Sequence, residues 1–334
     1  MDILLQQIIN GLTTGSVYAI VALGYTMVYG VIQLINFAHG EVVMVGAMVA
    51  FAVIAALAGS SLPPGLVLLA GVLAAVPACM VLGYALERIA YRPLRHAPRL
   101  APLITAIGMS IILQHVALLI WGRNPIAFPQ IMANPGFSLG GAAISALQVG
   151  IILLSLGMMA GLSWFVYRTR FGIAIRATAE NVHVAGLMGI DADRVIAATF
   201  VIGAALGAVA GVMYGSYYGI AHYTMGFILG LKAFSAAVLG GIGNIPGAML
   251  GGLLLGLVEA LGTGYIGDFT DVCRWPGAAE LHGQTGWMGE SCADGAHFVI
   301  FGSNYQDVFA FLMLILVLVL RPSGLLGERV PERA

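Results

Sequence analysis

Four stretches of this chain, 66–86, 100–121, 147–167 and 195–220, each run for more than twenty residues without one Asp, Glu, Lys or Arg. A bilayer core about 30 Å thick is crossed by roughly 20 apolar residues in a helix. No water is present there to satisfy exposed backbone groups, so such segments must be helical. Shorter or more broken apolar stretches at 12–32, 38–58, 228–243, 245–266 and 305–320 bring the expectation to eight or nine crossings. Composition closes the alternative of a soluble domain: 60% of residues are hydrophobic, 9% are charged and the mean hydropathy is +0.97. The first residues, "MDILLQQIINGLTTGS", carry no basic segment ahead of the apolar run, so a cleaved signal peptide is not expected.

Orientation follows from the basic residues, because short cytoplasmic loops hold the Lys/Arg excess. Eleven of the fourteen Lys and Arg residues lie in three segments: Arg88 to Arg99, Arg168 to Arg194 and Arg321 to Arg333. The number of spans between these segments is even, which places all three on the cytoplasmic side; counting backward puts the Met1 end outside, and a re-entrant segment in the first 40 residues would reverse it. The polar stretch 267–307 then faces outward, and its six carboxylates against Arg274 alone agree with that side. The expected architecture is all-α: a polytopic membrane helical bundle of about eight spans, with discontinuous helices and a cytoplasmic coupling helix. It forms a single transmembrane domain over 1–334, with a cytoplasmic loop at 168–194 and an extracytoplasmic insertion loop at 267–307.

Cys273 and Cys292 both fall in the outward loop, where an oxidising compartment permits a disulfide. Closing a loop of about 20 residues contributes roughly 3 kcal/mol. A disulfide ranks ahead of two free thiols, and a metal site with His282 and His297 comes last, since no short Cys-x-x-Cys spacing supports it. Cys79 lies inside an apolar run and reads as a small hydrophobe.

Two stretches depart from plain helix packing. "GVIQLINFAHGEVVMVGA" (30–47) sets Gln33, Asn36, His39 and Glu41 at the edge of an apolar run; "GLKAFSAAVLGGIGNIPGAMLGG" (230–252) joins Lys232 to a glycine-rich break with Gly240, Gly243 and Pro246. Unwound backbone at membrane depth is tolerated where protein or a watery cavity surrounds it. Both stretches are therefore expected to be discontinuous helices lining a pathway, with Asn36, His39, Glu41, Lys232, Gly240 and Gly243 as candidate pathway residues. Their shared polar break before a glycine-rich helix start hints at an internal repeat. Ionisable residues inside spans point to function by default, and here they are Glu41, Lys232 and Glu259. Lys232 can also simply pair with Glu41 or Glu259 to set helix register. His39 can equally cap a helix or bond a carbonyl. Glycines at four-residue spacing, such as Gly203, Gly207 and Gly211, suit close helix packing.

The charged island 170–195, "RFGIAIRATAENVHVAGLMGIDADRV", sits between two spans. Glu180 or Asn181 can cap a short helix. Val184, Leu187 and Met188 then form one apolar stripe, Gly189 ends the helix, and Asp191 or Asp193 caps the next span. The stripe must be covered, either by the membrane interface or by a groove on another protein, and its mixed flanking charges favour docking.

"ATAENVHVAGLMGIDADRVIAATFVIGAALGAVAG" resembles the coupling segment of ABC importer permeases. "NFAHGEVVMVGA", "KAFSAAVLGGIGNIPGAMLGG", "ERIAYRPLR" and "LVLRPSGLLGE" are similar to the characteristic stretches of the Liv family of branched-chain amino acid permeases, closer to LivH than to LivM. The stretch 269–303 is longer than the family pattern. The resemblance implies a permease of the bacterial inner membrane that pairs with a LivM-like second permease. It also implies two cytoplasmic ATPase subunits docked on the coupling helices, with Glu180, Asn181, Val184, Leu187, Met188 and Gly189 as the contact, and a periplasmic amino acid binding protein. No P-loop, metalloprotease motif or nucleophile elbow is present, so neither ATP hydrolysis nor other catalysis, and no cofactor, is expected of this chain. A net charge of −1 argues against nucleic acid as a partner. Ion-coupled secondary transport through Glu41, Lys232 and Glu259, and a passive channel, are the competing readings.

Overall fold

A computed structural model describes residues 2–95, 97–98, 100–129, 136–139, 141–271, 273 and 305–327. The elements are α1 (Asp2–Ile32), α2 (His39–Leu57), α3 (Pro64–Leu86), α4 (Leu100–Trp121), α5 (Ala146–Arg168), α6 (Arg170–Glu180), α7 (Val182–Leu187), α8 (Ala192–Tyr218), α9 (Met225–Gly240), α10 (Ile245–Phe269) and α11 (Gln306–Leu320). Seven described helices are long and apolar enough to cross a membrane, and α9 and α11 are shorter apolar helices. A π-helical turn (Glu87–Tyr91) and a 3-10 turn (Arg92–Leu94) follow α3, and two small antiparallel ribbons, Ile126–Ala127 with Ile220–Ala221 and Gly136–Leu139 with Ala142–Ser145, complete the described secondary structure. The all-α membrane bundle expected from the apolar runs is the fold.

The core is α1, which runs buried between α8, α9 and α10. Helices in lipid gain little from the hydrophobic effect and associate through close backbone packing. At the α1–α10 crossing a methyl group on Gly256 would stand 2.3 Å from the Cα of Gly15, so only glycine permits this approach. Gly203 meets Gly24, Gly211 meets the Val43 carbonyl and Gly251 meets that of Ala236, so the glycine spacing serves helix contact. In contrast α3, α4 and α5 leave most of their residues open, with Leu73, Leu119 and Leu153 among the exposed side chains. These faces suit lipid or a second subunit rather than water.

Three observations put the basic segments on one face. Arg92 and Arg95, after α3, both bond Asp193 at the start of α8. Gln33, at the end of α1, lines a cleft with Arg95, Glu180 and Asn181. The link between α9 and α10 bonds the segment after α11, through Asn244 Nδ2 to the Leu326 carbonyl at 2.8 Å. The Asp2 end of α1 therefore lies at the opposite face, with no re-entrant segment within the helix.

The interruptions fall partly where the sequence places them. Residues 33–38 are unwound, with Gln33 at φ 53°, and α2 starts inside the bundle. Its first turn packs Gly40 on Gly226 and Gly230, and His39 lies against Gly24 and Gly207. The second interruption is displaced. Residues 241–244, expected as a break within a pathway helix, instead form the tight turn of an α9–α10 hairpin at the basic face. There Gly241, at φ 107°, packs on Gly324 and Gly327. The physical reason is the antiparallel approach of Gly240 to Gly247, where a methyl on Gly240 would meet the Gly247 carbonyl oxygen at 2.0 Å. The actual break is at 219–224, after which α9 begins level with Gln114, two turns (~10 Å) short of the end of α4.

Candidate functional site

At the basic face the island folds as two helices rather than one. Thr169 caps α6 by accepting from the Gly172 N–H, and α6 ends at Glu180. Asn181 then caps α7, its Oδ1 accepting from the His183 and Val184 N–H groups at 3.0 Å each. Glu180 is thus the last residue of α6 and not a cap of α7; an amide side chain that reaches two backbone donors wins that position. Gly189 turns the chain at φ 81°, and Asp191 caps α8 through the Arg194 N–H. The six-residue α7 is pinned by buried Ala185, while Leu187 is 75% and Met188 78% exposed and Val184 is also exposed. Behind it, Arg92 and Arg95 converge on Asp193, and Arg95 also pairs with buried Glu87. The connection from α7 into α8 is short, and the start of α8 is tied to the segment after α3.

Glu41 lies in the first turn of α2, fully buried. Its Oε1 accepts from Ser110 Oγ at 3.0 Å and Gln114 Nε2 at 2.7 Å, both on α4. Its Oε2 has no hydrogen bond among the described residues and faces Gly226 in the first turn of α9. The positive N-terminal ends of α2 and α9 therefore both meet this carboxylate, which offsets some of the cost of a charge at membrane depth. Beside it, Ser110, Gln114, Thr224, Phe37, Phe227 and Ile228, with Ile107 and Ile111, line a cavity of about 400 Å³.

Lys232 belongs to a separate cluster. Its Nζ stands 2.8 Å from Glu259 Oε1 and 2.6 Å from Asp307 Oδ1, and donates to Tyr18 Oη at 3.4 Å. Lys232 and Glu259 are buried, so the pair ties α9 to α10, with α11 joined through Asp307 and α1 through Tyr18. Glu41 shares no hydrogen-bond or ion-pair partner with Lys232 or Glu259, so the three are not assembled as a relay among the described residues.

Residues 7–318 match the family described as branched-chain amino acid transport system / permease component. The chain belongs to this family. It is 46% identical to the high-affinity branched-chain amino acid transport system permease protein BraD of Pseudomonas aeruginosa, covering 98% of this chain and 97% of BraD. It is 44% identical to the corresponding permease protein LivH of Escherichia coli over the same shares. A probable branched-chain amino acid transport permease, LivH of Methanocaldococcus jannaschii, is 27% identical over 92% of this chain.

The permease is thus a multi-pass membrane transport subunit and not an enzyme. Of the residues singled out from sequence, Val184, Leu187 and Met188 share the exposed surface of α7, with Asn181 and Gly189 at its two ends. Asn36 accepts from the Ala38 N–H and from Tyr91 Oη at 3.0 Å, which fastens the unwound segment to the end of α3. His39 is buried edge-on to Tyr25 with ring centroids 4.8 Å apart. Gly240 and Gly243 belong to the α9–α10 hairpin. Cys273 is disulfide-bonded, whereas Cys292 and most of 267–307 lie outside the described residues. No group of three or more His, Cys, Asp or Glu suited to a metal ion is found among the described residues. Sequence reasoning missed Ser110 and Gln114, neutral residues inside an uncharged run whose polarity was the available signal, and it missed Asp307 as a partner of Lys232.

Proposed function

We propose that the permease is the membrane subunit of an ATP-driven importer of branched-chain amino acids in the bacterial inner membrane. It works with a LivM-like second permease, two cytoplasmic ATPase subunits and a periplasmic amino acid binding protein. The observation that carries this reading is α7, a short helix with an exposed apolar stripe, held on the face where the basic segments gather. An element of six residues that leaves Leu187 and Met188 open is a surface made for a groove on a partner. Closure of the ATPases on ATP pushes α7. The Arg92–Asp193–Arg95 bridge passes the movement to α3 and α8, and the bundle alternates between its two open states. The close relatives named above as branched-chain amino acid permeases support the cargo. The end of α10 and the start of α11 lie away from the basic face, which supports contact with the binding protein there.

Reconstitution of all the subunits in proteoliposomes tests the proposal. Leucine uptake is expected to require the ATPase subunits and internal or external ATP at their face, and to survive a protonophore. Uptake undiminished without the ATPases, or abolished by the protonophore at constant ATP, would contradict it.

A further inference from the structure

We propose that the cavity beside Glu41 is a transit site for the cargo, one that holds an aliphatic α-amino acid by its ammonium group and its side chain. The inference rests on the import function proposed above and names the residues that meet the substrate on its way. Ligand sites are mostly apolar clefts of roughly 300–1,000 Å³ with a few convergent polar groups. At about 400 Å³ this cavity has that size, and its lining has that division. Ile107, Ile111, Phe227 and Ile228 supply an apolar wall suited to a branched alkyl chain, and Ser110, Gln114 and Thr224 supply the polar groups.

The polarity of the floor selects a cation. Gln114 spends one of its two amide N–H groups on Glu41, which fixes the amide with its carbonyl oxygen free as an acceptor. Ser110 likewise donates its one proton to Glu41 and retains its oxygen lone pairs as acceptors. Behind both stands the carboxylate, fully buried, with an oxygen that no described residue satisfies. A relay of this kind presents negative charge through two neutral side chains, which favours a primary ammonium at this end of the cavity. At the first turn of α9 the positive helix end suits the α-carboxylate, with Thr224, whose hydroxyl is shared with His222 Nδ1 at 2.8 Å, beside it on the cavity wall. Interrupted helices that meet at membrane depth are where transporters bind their cargo, and here the starts of α2 and α9 abut at Gly40 and Gly226. The Lys232 cluster lacks these properties, because its carboxylates already hold a cation.

The test uses the full transporter in proteoliposomes with a membrane-permeant maleimide. Ile111→Cys places a thiol on the cavity wall, and the remaining free thiol among the described residues, Cys79, is fully buried, so wild type serves as the background. The expected result is labelling of Ile111→Cys that blocks uptake, slowed by leucine during turnover with ATP and binding protein, and not slowed when leucine is omitted. Absence of labelling would overturn the site, because a thiol facing lipid or sealed by a partner is not reached. Labelling that leucine leaves unchanged would overturn it too. Glu41→Gln supplies the second arm: uptake is expected to fall roughly tenfold or more, with subunit assembly intact. Wild-type uptake in Glu41→Gln would contradict the role of the charge. Unlabelled wild-type transporter that imports leucine on ATP keeps the import function standing in each of these failures, so the two claims fail separately.

Discussion

Two carboxylate clusters are buried in the same bundle, and they are compensated in opposite ways. Glu259 and the half-exposed Asp307 share one lysine, which gives buried Glu259 a counter-ion within the protein and staples α9 to α10 and α11. Glu41 meets only neutral donors and two helix ends, and its two donors, Ser110 and Gln114, line a cavity. A cluster that carries its own counter-ion is a structural element; a charge left for dipoles to balance is available to a ligand. On the transit site proposed above, the difference separates stability from transport, although Glu41, Lys232 and Glu259 all came from the same rule that charge in a span signals function.

The largest effect expected from this comparison is on Lys232. Lys232→Ala strands two carboxylates in the bundle and should cost about 3–5 kcal/mol, since breaking one partner of a buried pair leaves uncompensated charge. Thermal unfolding in detergent, followed by loss of the folded oligomer, reads this. Replacing the pair together, as Lys232→Met with Glu259→Leu, should recover most of the loss. If the double variant is as unstable as the single one, the cluster is not a closed pair.

Glu41→Gln comes next and breaks the comparison from the other side. It should change the unfolding midpoint little, by about 1 kcal/mol or less, because both α4 donors keep an acceptor. A loss of stability equal to that of Lys232→Ala would make the two clusters equivalent. The smallest effect is expected at Asp307, whose side chain is 39% exposed. Asp307→Asn should cost no more than about 1 kcal/mol, a loss that salt diminishes. A salt-independent loss of several kcal/mol would place Asp307 within the closed pair.

The comparison also marks what was legible from residues alone. Long uncharged runs must be helices in lipid, so the spans and the face bearing the basic segments followed directly. Asn181 and Gly189 delimited α7 because caps act locally. The ion pair was half visible: Glu259 was a named partner for Lys232, but Asp307 was assigned to the outward loop, 75 residues along the chain. Ser110 and Gln114 bind Glu41 across a helix interface that no local pattern encodes. The helix start at Met225 was likewise hidden, because the glycine-rich turn at 241–244 carried the stronger signal of a break.

The central claim is that α7 is the handle by which separate ATPases drive this permease, and Leu187→Asp tests it most directly. That change puts a charge on the exposed stripe without touching a described hydrogen bond, so the subunit should fold and insert normally. Measured in one proteoliposome preparation, substrate-stimulated ATP hydrolysis and leucine uptake should separate, with uptake per ATP falling about tenfold or more, the size expected for a charge set in an apolar interface. Wild-type stoichiometry with Leu187→Asp in an intact assembly would remove α7 from the coupling path.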